Sequence, residues 1–291
     1  MDFSFSRRLT SQVKSKGSPL FLGLDPRPDR FPRSYQDRGL EGLLAFHERL
    51  IEVLAPYVAG IKPQIAFFEQ LGVEGLSAYA RCCEHGREHG LEVLGDVKRG
   101  DIGSTAEAYA RAHFAWAESL TVNPYLGEDS IQPFLGPCRQ DGKGLFVLCV
   151  TSNPSWYQFQ DRRDGDGRPL YVAVAEAIAG WNRSCKRDGE RYGPVGAVVG
   201  ATHPSVLMEI RQILTESWLL LPGVGAQGAS IADLSMAFDP EGLGAILPVS
   251  RGLASCFDPE DPHWEKVVVD KARSLLAEIR AAVPALGEGR A

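Results

Sequence analysis

The sequence predicts an α/β fold, a single-domain (β/α)8 barrel of the TIM type, and three observations lead to this prediction. Short apolar runs of strand length recur eight times along the 291 residues. Longer amphipathic stretches with helical spacing lie between many of them. No linker of distinct composition divides the chain, whose length is close to the roughly 250 residues of one barrel. A doubly wound parallel sheet is the alternative fold for the same alternation.

The apolar runs have the composition of strands that are buried on both faces of a parallel sheet. In order, they occupy residues 20–24, 58–61, 91–97, 120–122, 145–150, 195–199, 218–221 and 245–249. The helical stretches occupy residues 43–54, 73–89, 106–117, 172–186 and 264–282. Residues 161–169 have loop composition, so we expect an exposed insertion there. Within the single domain of residues 1–291, segments 1–18 and 284–291 are expected to be peripheral.

Composition and charge argue against several classes of protein. The chain has 31 basic and 37 acidic residues, a net charge of −6, which argues against nucleic-acid and anionic-membrane binding. No apolar run is long enough to span a membrane. The six cysteines form no C-x-x-C pair and the six histidines no H-E-x-x-H motif, so we expect no metal and no disulfides. These features predict a cytoplasmic protein with reduced thiols.

Charged residues follow the first three apolar runs. Asp25 ends the first run, Lys62 the second, and Asp96 and Lys98 the third, with Asp101 just beyond. The active site of a barrel lies where the strands end, and residues two apart on a strand point to the same side. Solvated loop residues, or a helix cap for Asp101, are the alternative interpretation. Because charges at the end of an apolar strand are costly unless paired, we favour a self-compensating array of alternating sign.

A glycine-rich loop, residues 221–228, follows the seventh run, and Arg251 follows the eighth. A dinucleotide-binding loop belongs in the first βαβ unit with an acidic residue about 20 positions later, and this loop meets neither condition. Barrels often bind phosphate with the loops after strands seven and eight. Backbone N–H groups, the Gln227 amide and the Arg251 guanidinium suit such an anion. We therefore predict a phosphorylated small substrate, with a plain mobile loop and a surface arginine as alternatives.

The segment D-V-K-R-G-D-I-G-S-T at residues 96–105 resembles the D-x-K-x-x-D-I-x-x-T signature of the orotidine 5′-phosphate decarboxylase family. Lys62, residues 222–228 and Arg251 occur in the family's order, so the resemblance covers about residues 20–280 and is greatest to the longer bacterial branch. It implies a homodimeric barrel that converts orotidine 5′-monophosphate into UMP and CO2, the last step of pyrimidine nucleotide synthesis. No metal or organic cofactor is implied.

The resemblance also implies roles for individual residues. Lys98 would protonate C6 as the carboxylate leaves, Asp96 would repel that carboxylate and hold Lys98, and Lys62 would bind the ribose hydroxyls and complete the array. The residues implied to reach the partner subunit's site are Asp101, Ile102 and Thr105. The remaining substrate-binding residues would be Asp25 at the ribose, Ser152 at the pyrimidine, Pro222 at the base of the closing loop, and Gln227 and Arg251 at the phosphate.

Three other functions remain open at this point. The D-x-K-x-x-D pattern also resembles barrel enzymes of the 3-keto-hexulose-phosphate group, which bind Mg²⁺ and stabilise an enediolate. Those chains are usually shorter and lack a second lysine such as Lys62 in this arrangement. A Schiff-base aldolase that uses Lys62 or Lys98 is another possibility. The third is a non-catalytic protein that binds a phosphorylated ligand.

Overall fold

The computed structural model describes residues 4–223 and 230–287 and confirms the predicted barrel. Eight parallel strands close into one sheet, in which each strand pairs with the next and the last pairs with the first. The strands are β1 (Leu20–Leu24), β2 (Gly60–Pro63), β3 (Glu92–Arg99), β4 (Ser119–Val122), β5 (Gly144–Val150), β6 (Val195–Val199), β7 (Leu219–Leu220) and β8 (Ala245–Val249). The carboxyl ends of all eight strands therefore meet at one face of the barrel.

Helices surround the barrel and cover its outer face. They are α1 (Phe5–Lys16), α2 (Arg33–Gln36), α3 (Gly39–Leu54), α4 (Ile65–Glu69), α5 (Gly72–Glu88), α6 (Gly103–Phe114), α7 (Glu128–Gln140), α8 (Leu170–Cys185), α9 (Pro204–Ile213), α10 (Ile231–Leu234), α11 (Arg251–Ala254) and α12 (Trp264–Ala282). No helix among the described residues combines the length and the apolarity that crossing a bilayer requires.

The second strand starts two residues later than the sequence predicts and includes Lys62 itself. The apolar run at residues 58–61 indicates β2, but the strand ends at Pro63. Its pairing with β1 explains the shift, because Phe21 lies opposite Gly60 and Gly23 lies opposite Lys62. Hydrogen bonding to the neighbouring strand, which hydrophobicity does not report, therefore sets the end of β2.

The N-terminal segment is part of the core, which differs from the peripheral position expected for residues 1–18. Phe5, Leu9 and Val13 of α1 are fully buried or nearly so. The Phe5 ring meets the Phe146 ring edge to face, with centroids 6.0 Å apart. A Cβ on Gly144, the first residue of β5, would lie 2.4 Å from the Phe5 ring. Helix α1 thus closes the amino-terminal end of the barrel.

The predicted insertion at residues 161–169 is exposed over residues 162–168, as expected, while Pro169 at its end is buried. Asp164 organises it, since its backbone N–H donates to the Arg168 carbonyl at 2.9 Å and its carboxylate accepts from the Arg168 N–H at 2.9 Å. At the other end of the chain, Leu286 is buried although segment 284–291 was expected to be peripheral. Gln227 lies outside the described residues.

Candidate active site

The ends of β2 and β3 bring two lysines onto one buried carboxylate. Lys62 Nζ lies 2.6 Å from Asp96 Oδ2, and Lys98 Nζ lies 2.5 Å from Asp96 Oδ1. Asp96 and Lys62 are 6% and 7% exposed, whereas the Lys98 side chain is 45% exposed. The structure therefore brings these three predicted residues together, with Lys98 as the member that solvent and a ligand can reach.

Two further residues hold Asp96, and the sequence analysis missed both. Gln64 Nε2 donates to Asp96 Oδ2 at 2.9 Å, and Thr121 Oγ1 donates to Asp96 Oδ1 at 2.9 Å. Gln64 lies two residues after Lys62, and Thr121 lies in the apolar run of β4. The hydroxyl of Thr121 within an otherwise apolar strand could have indicated a polar contact. Only the pairing of β3 with β4 shows that its partner is Asp96.

The backbone at Lys98 departs from the regular strand that the sequence predicts. Its φ of 45° is the only positive value for a non-glycine residue in the described chain. The register of β3 against β4 shifts between Gly95 and Arg99, which marks a bulge. There the Lys98 N–H donates to Thr121 Oγ1 at 3.0 Å instead of to a strand carbonyl. Such strained backbone costs about 1–3 kcal/mol and is typical of functional sites.

Electrostatics keep the buried pair charged. Burial alone would raise the pKa of Asp96, but Lys62 and Lys98 hold it well below its usual range. Burial would likewise lower the pKa of Lys62, but the carboxylates of Asp96 and Asp25 raise it above its usual value. The site therefore presents fixed charges of alternating sign before any ligand arrives.

Asp25, at the end of β1, connects the lysine array to an adjoining cavity. Its Oδ1 atom is buried and has no hydrogen-bond partner among the described residues. A buried, unpartnered acceptor is costly unless a ligand supplies the donor. The cavity has a volume of about 330 Å³, and three arginines line it. Its polar and charged lining residues are Asp25, Arg27, Arg30, His47, Ser250, Arg251 and Ser255.

Arg251 begins α11 directly after β8, and its side chain forms no ion pair with any described carboxylate. Pro222 lies in the described part of the predicted phosphate loop, and its carbonyl accepts from Ala201 N–H at 3.0 Å. Ser152 follows β5 and packs on Gly200, where an added Cβ would lie 3.0 Å from the Ser152 backbone. All three follow strand ends, so they lie at the carboxyl-terminal face of the barrel, as the lysine array does.

The remaining predicted residues lie in an exposed segment after β3. Thr105 is exposed, and Ile102 is 56% exposed despite its apolar side chain. Asp101 does not cap α6, since its Oδ1 accepts from the adjacent Ile102 N–H at 2.8 Å and Ile102 itself is the N-cap. The helix-cap interpretation of Asp101 is therefore wrong. None of the three residues forms a hydrogen bond with Asp96 among the described residues, where its donors are other side chains.

A closed (β/α)8 barrel with charged side chains at the carboxyl ends of its first three strands defines a barrel enzyme. The sequence pattern of the Orotidine 5′-phosphate decarboxylase / HUMPS family matches residues 18–260. The chain belongs to this family, which confirms the resemblance noted from the sequence.

Individual relatives agree with that assignment. An orotidine 5′-phosphate decarboxylase of Rhodopirellula baltica is 40% identical over 275 residues, 89% of this chain and 90% of the relative. The structure of Leishmania donovani OMP decarboxylase matches with a TM-score of 0.76 and 37% identity over 94% of this chain and 99% of that one. Leishmania donovani UMP synthase matches with a TM-score of 0.80 and 39% identity over 96% of this chain, which spans 56% of that protein.

Proposed function

We propose that this chain decarboxylates orotidine 5′-monophosphate to UMP and CO2. The family model also includes a HUMPS branch, but the curated relatives are named orotidine 5′-phosphate decarboxylase, and the site supports that branch. The observation that carries the proposal is the set of four donors on Asp96. A carboxylate offers about four lone-pair directions, and Lys62, Gln64, Lys98 and Thr121 occupy them. This arrangement favours a fixed anion over the metal ligand that an Mg²⁺-dependent enediolate mechanism needs.

In the proposed mechanism, the array acts on charge that moves during the reaction. The substrate carboxylate faces the ionised Asp96, so like-charge repulsion favours its departure as CO2. Both electrons of the broken C–C bond stay on C6 as a vinyl carbanion, which no adjacent carbonyl delocalises. The Lys98 ammonium stabilises this carbanion and then gives it a proton, which yields UMP. Lys62 and Asp25 would bind the ribose hydroxyls beside it.

The phosphate would bind at Arg251 and the cavity beside it. Arg251 has no ion pair within the described chain and can form two parallel hydrogen bonds with a phosphate. Gln227 would add an amide from the loop that starts at Pro222, and Ser152 would contact the pyrimidine. Because the phosphate lies away from the scissile bond, its binding energy can close the loop and exclude water.

We further propose a homodimer in which Asp101, Ile102 and Thr105 reach the partner subunit's site. Ile102 is 56% exposed, and Tyr125 and Leu126 after β4 are 82% and 47% exposed. Apolar side chains grouped on a protein surface are typical of an interface. Analytical ultracentrifugation should give a dimer that Ile102→Asp converts to an inactive monomer. A wild-type monomer with full activity would contradict the proposal.

A cytoplasmic location is part of the same proposal. All six cysteines are free and five of them are buried, which is compatible with a reducing compartment.

The decisive experiment follows the loss of absorbance of orotidine 5′-monophosphate on mixing with the purified protein, with and without excess EDTA. We expect equal, rapid conversion to UMP in both samples. Activity lost to EDTA would favour the Mg²⁺-dependent alternative, and trapping by borohydride would favour a Schiff base on Lys62 or Lys98. Binding of UMP without any conversion of substrate would leave a non-catalytic ligand-binding protein.

A further inference from the structure

A cluster of metal-ligating side chains lies where helices α3 and α5 end, at the amino-terminal end of the barrel. One ligand atom from each of Glu52, His85 and His89 lies within 4.8 Å of the other two. His85 and His89 are four residues apart at the end of α5, so they share one side of the helix. Glu52 comes from the last turn of α3. The proposed decarboxylation uses none of these groups.

His85 is the buried member of this cluster, and one of its ring nitrogens lacks a partner. Only 7% of the residue is exposed. Its Nδ1 lies 3.2 Å from Glu88 Oε2, and because an ionised carboxylate can only accept, Nδ1 carries the proton. Nε2 then has a lone pair, and it has no hydrogen-bond partner among residues 4–223 and 230–287. It lies 3.6 Å from Glu52 Oε1, and in the neutral form of the ring both of these atoms are acceptors.

The second oxygen of Glu52 and the Nδ1 atom of His89 already form hydrogen bonds. Glu52 Oε2 accepts from Arg49 Nη1 at 2.9 Å. His89 Nδ1 donates to the His85 carbonyl at 2.9 Å, which leaves the lone pair of this ring on Nε2. Glu52, His85 and His89 therefore each keep one atom with an unused electron pair. A cation between them would remove the mutual repulsion.

We propose that Glu52, His85 and His89 bind one divalent transition-metal ion, for which Zn²⁺ is the test ion, with water in the fourth position. Two imidazoles and one carboxylate are an established zinc donor set. The Glu88 carboxylate behind His85 is the kind of outer partner that orients a metal-binding imidazole. Tetrahedral bonds of about 2.1 Å separate ligand atoms by about 3.4 Å. The 3.6 Å between Glu52 and His85 is already close to that value.

The ion would act on stability and not on the reaction. Helix α3 leads into β2 and α5 leads into β3, so Glu52 and His89 lie on the face opposite Lys98. A shared ion would cross-link the two helices and stabilise the folded chain in proportion to its occupancy. The competing state is a protonated His85 that pairs with Glu52 and Glu88 and has no need of a metal.

The test uses the full chain, stripped with EDTA and exchanged into chelator-free buffer. Calorimetric titration should give one Zn²⁺ per chain, with a Tm increase of about 5 °C at a hundredfold excess over Kd. Glu52→Gln and His89→Gln each remove one ligand at a solvent-accessible position, and each should weaken binding at least about tenfold. His263→Gln removes an exposed histidine elsewhere and should change neither measurement.

Failure of wild-type protein to bind Zn²⁺, or binding that survives both ligand variants, would overturn the proposal. The second outcome would place the ion elsewhere, for example at the partly exposed thiol of Cys256. Turnover of orotidine 5′-monophosphate is measured on the same samples and should not depend on zinc. The two readouts are independent, so each proposal can fail without the other.

Discussion

Strand β3 carries two buried carboxylates, Glu92 at its amino end and Asp96 in its carboxyl-terminal half, and the two behave in opposite ways. Asp96, at the carboxyl end, accepts from four donors that include two ammonium groups. Glu92, at the amino end, accepts from Arg8 Nε at 2.9 Å, while its Oε2 is buried without a partner among the described residues. The pKa of Asp96 is depressed. Burial raises the pKa of Glu92 to about 7; the nearby Glu118 carboxylate raises it further, and Arg8 only partly opposes the two.

The difference shows that partners, and not burial, decide whether an interior carboxylate stays ionised. Two lysines and two neutral donors offset the desolvation of Asp96, and the chain holds a permanent charge at its active face. One arginine does not offset the desolvation of Glu92, and its charge varies near neutral pH. Catalysis by preorganised charge requires the first arrangement. The second lies at the opposite end of the barrel beside Arg8 of helix α1, so we expect its titration to leave the reaction unchanged.

Replacement of Lys98 is expected to have the largest effect on turnover of any change at the carboxyl-terminal part of β3. Lys98→Ala removes both the cation that stabilises the carbanion and the proton donor, so we expect kcat to fall by at least about 10⁴-fold. The far-ultraviolet circular dichroism should not change, because the Lys98 side chain is 45% exposed and packs little of the core. Substantial turnover by this folded variant would exclude Lys98 as the proton donor.

Replacement of Arg251 separates ligand binding from the charge array. Arg251→Ala removes the proposed phosphate contact, so KM should rise by much more than tenfold, as expected for the loss of a charged hydrogen-bonded pair. Arg38→Ala, which removes an exposed arginine paired with Glu41, is the matched control and should leave KM unchanged. Steady-state kinetics measure both, and an unchanged KM in Arg251→Ala would remove this residue from the phosphate site.

Thr121→Val probes the neutral donors of the array. It deletes one hydrogen bond to Asp96 and the acceptor of the Lys98 N–H while keeping the shape of the side chain. Loss of about 1 kcal/mol of positioning should lower kcat by about fivefold, with a smaller change in KM. Thr121→Ser keeps the hydroxyl and should recover most of the rate. Equal rates for Val and Ser at this position would show that the other three donors position Asp96 without Thr121.

Glu92→Gln should leave turnover unchanged but alter the pH dependence of stability. The folded pKa of Glu92, about 7, lies above its usual 4.5, so its stabilising contribution is complete below pH 4.5 and is lost as pH rises through 7. Between pH 4.5 and 8 the variant should therefore gain on the order of 3 kcal/mol relative to wild type. Urea unfolding at several pH values measures this difference, and parallel curves for the two proteins would contradict it.

The comparison with wild type is needed because two buried histidines titrate in an overlapping pH range, and their effect on stability has the opposite pH dependence to that of Glu92. Burial lowers the pKa of His47 and of His113 to about 4. Their contribution to stability is therefore lost as pH falls from about 6.5 to 4. Both proteins contain these histidines, so their effect cancels in the difference.

The sequence determined the fold and the principal charged residues of the site. Apolar runs of strand length alternate with amphipathic helices, and hydrophobic burial gives this pattern only a few solutions. Residues that end such runs must lie at the carboxyl face, so Asp25, Lys62, Asp96 and Lys98 could be grouped before any coordinate was known. The spacing of residues 96–105 was sufficient to indicate the family.

The tertiary structure decided what the charged residues contact. Gln64 directly follows β2 and Thr121 lies on β4, and only the pairing of these segments with β3 brings their donors to the oxygens of Asp96. The bulge at Lys98 and the burial of α1 also depend on neighbours distant in sequence. Periodicity reports which face of an element is buried, but not which partner lies opposite. The opposite ionisation of Glu92 and Asp96, four residues apart on one strand, follows from those partners alone.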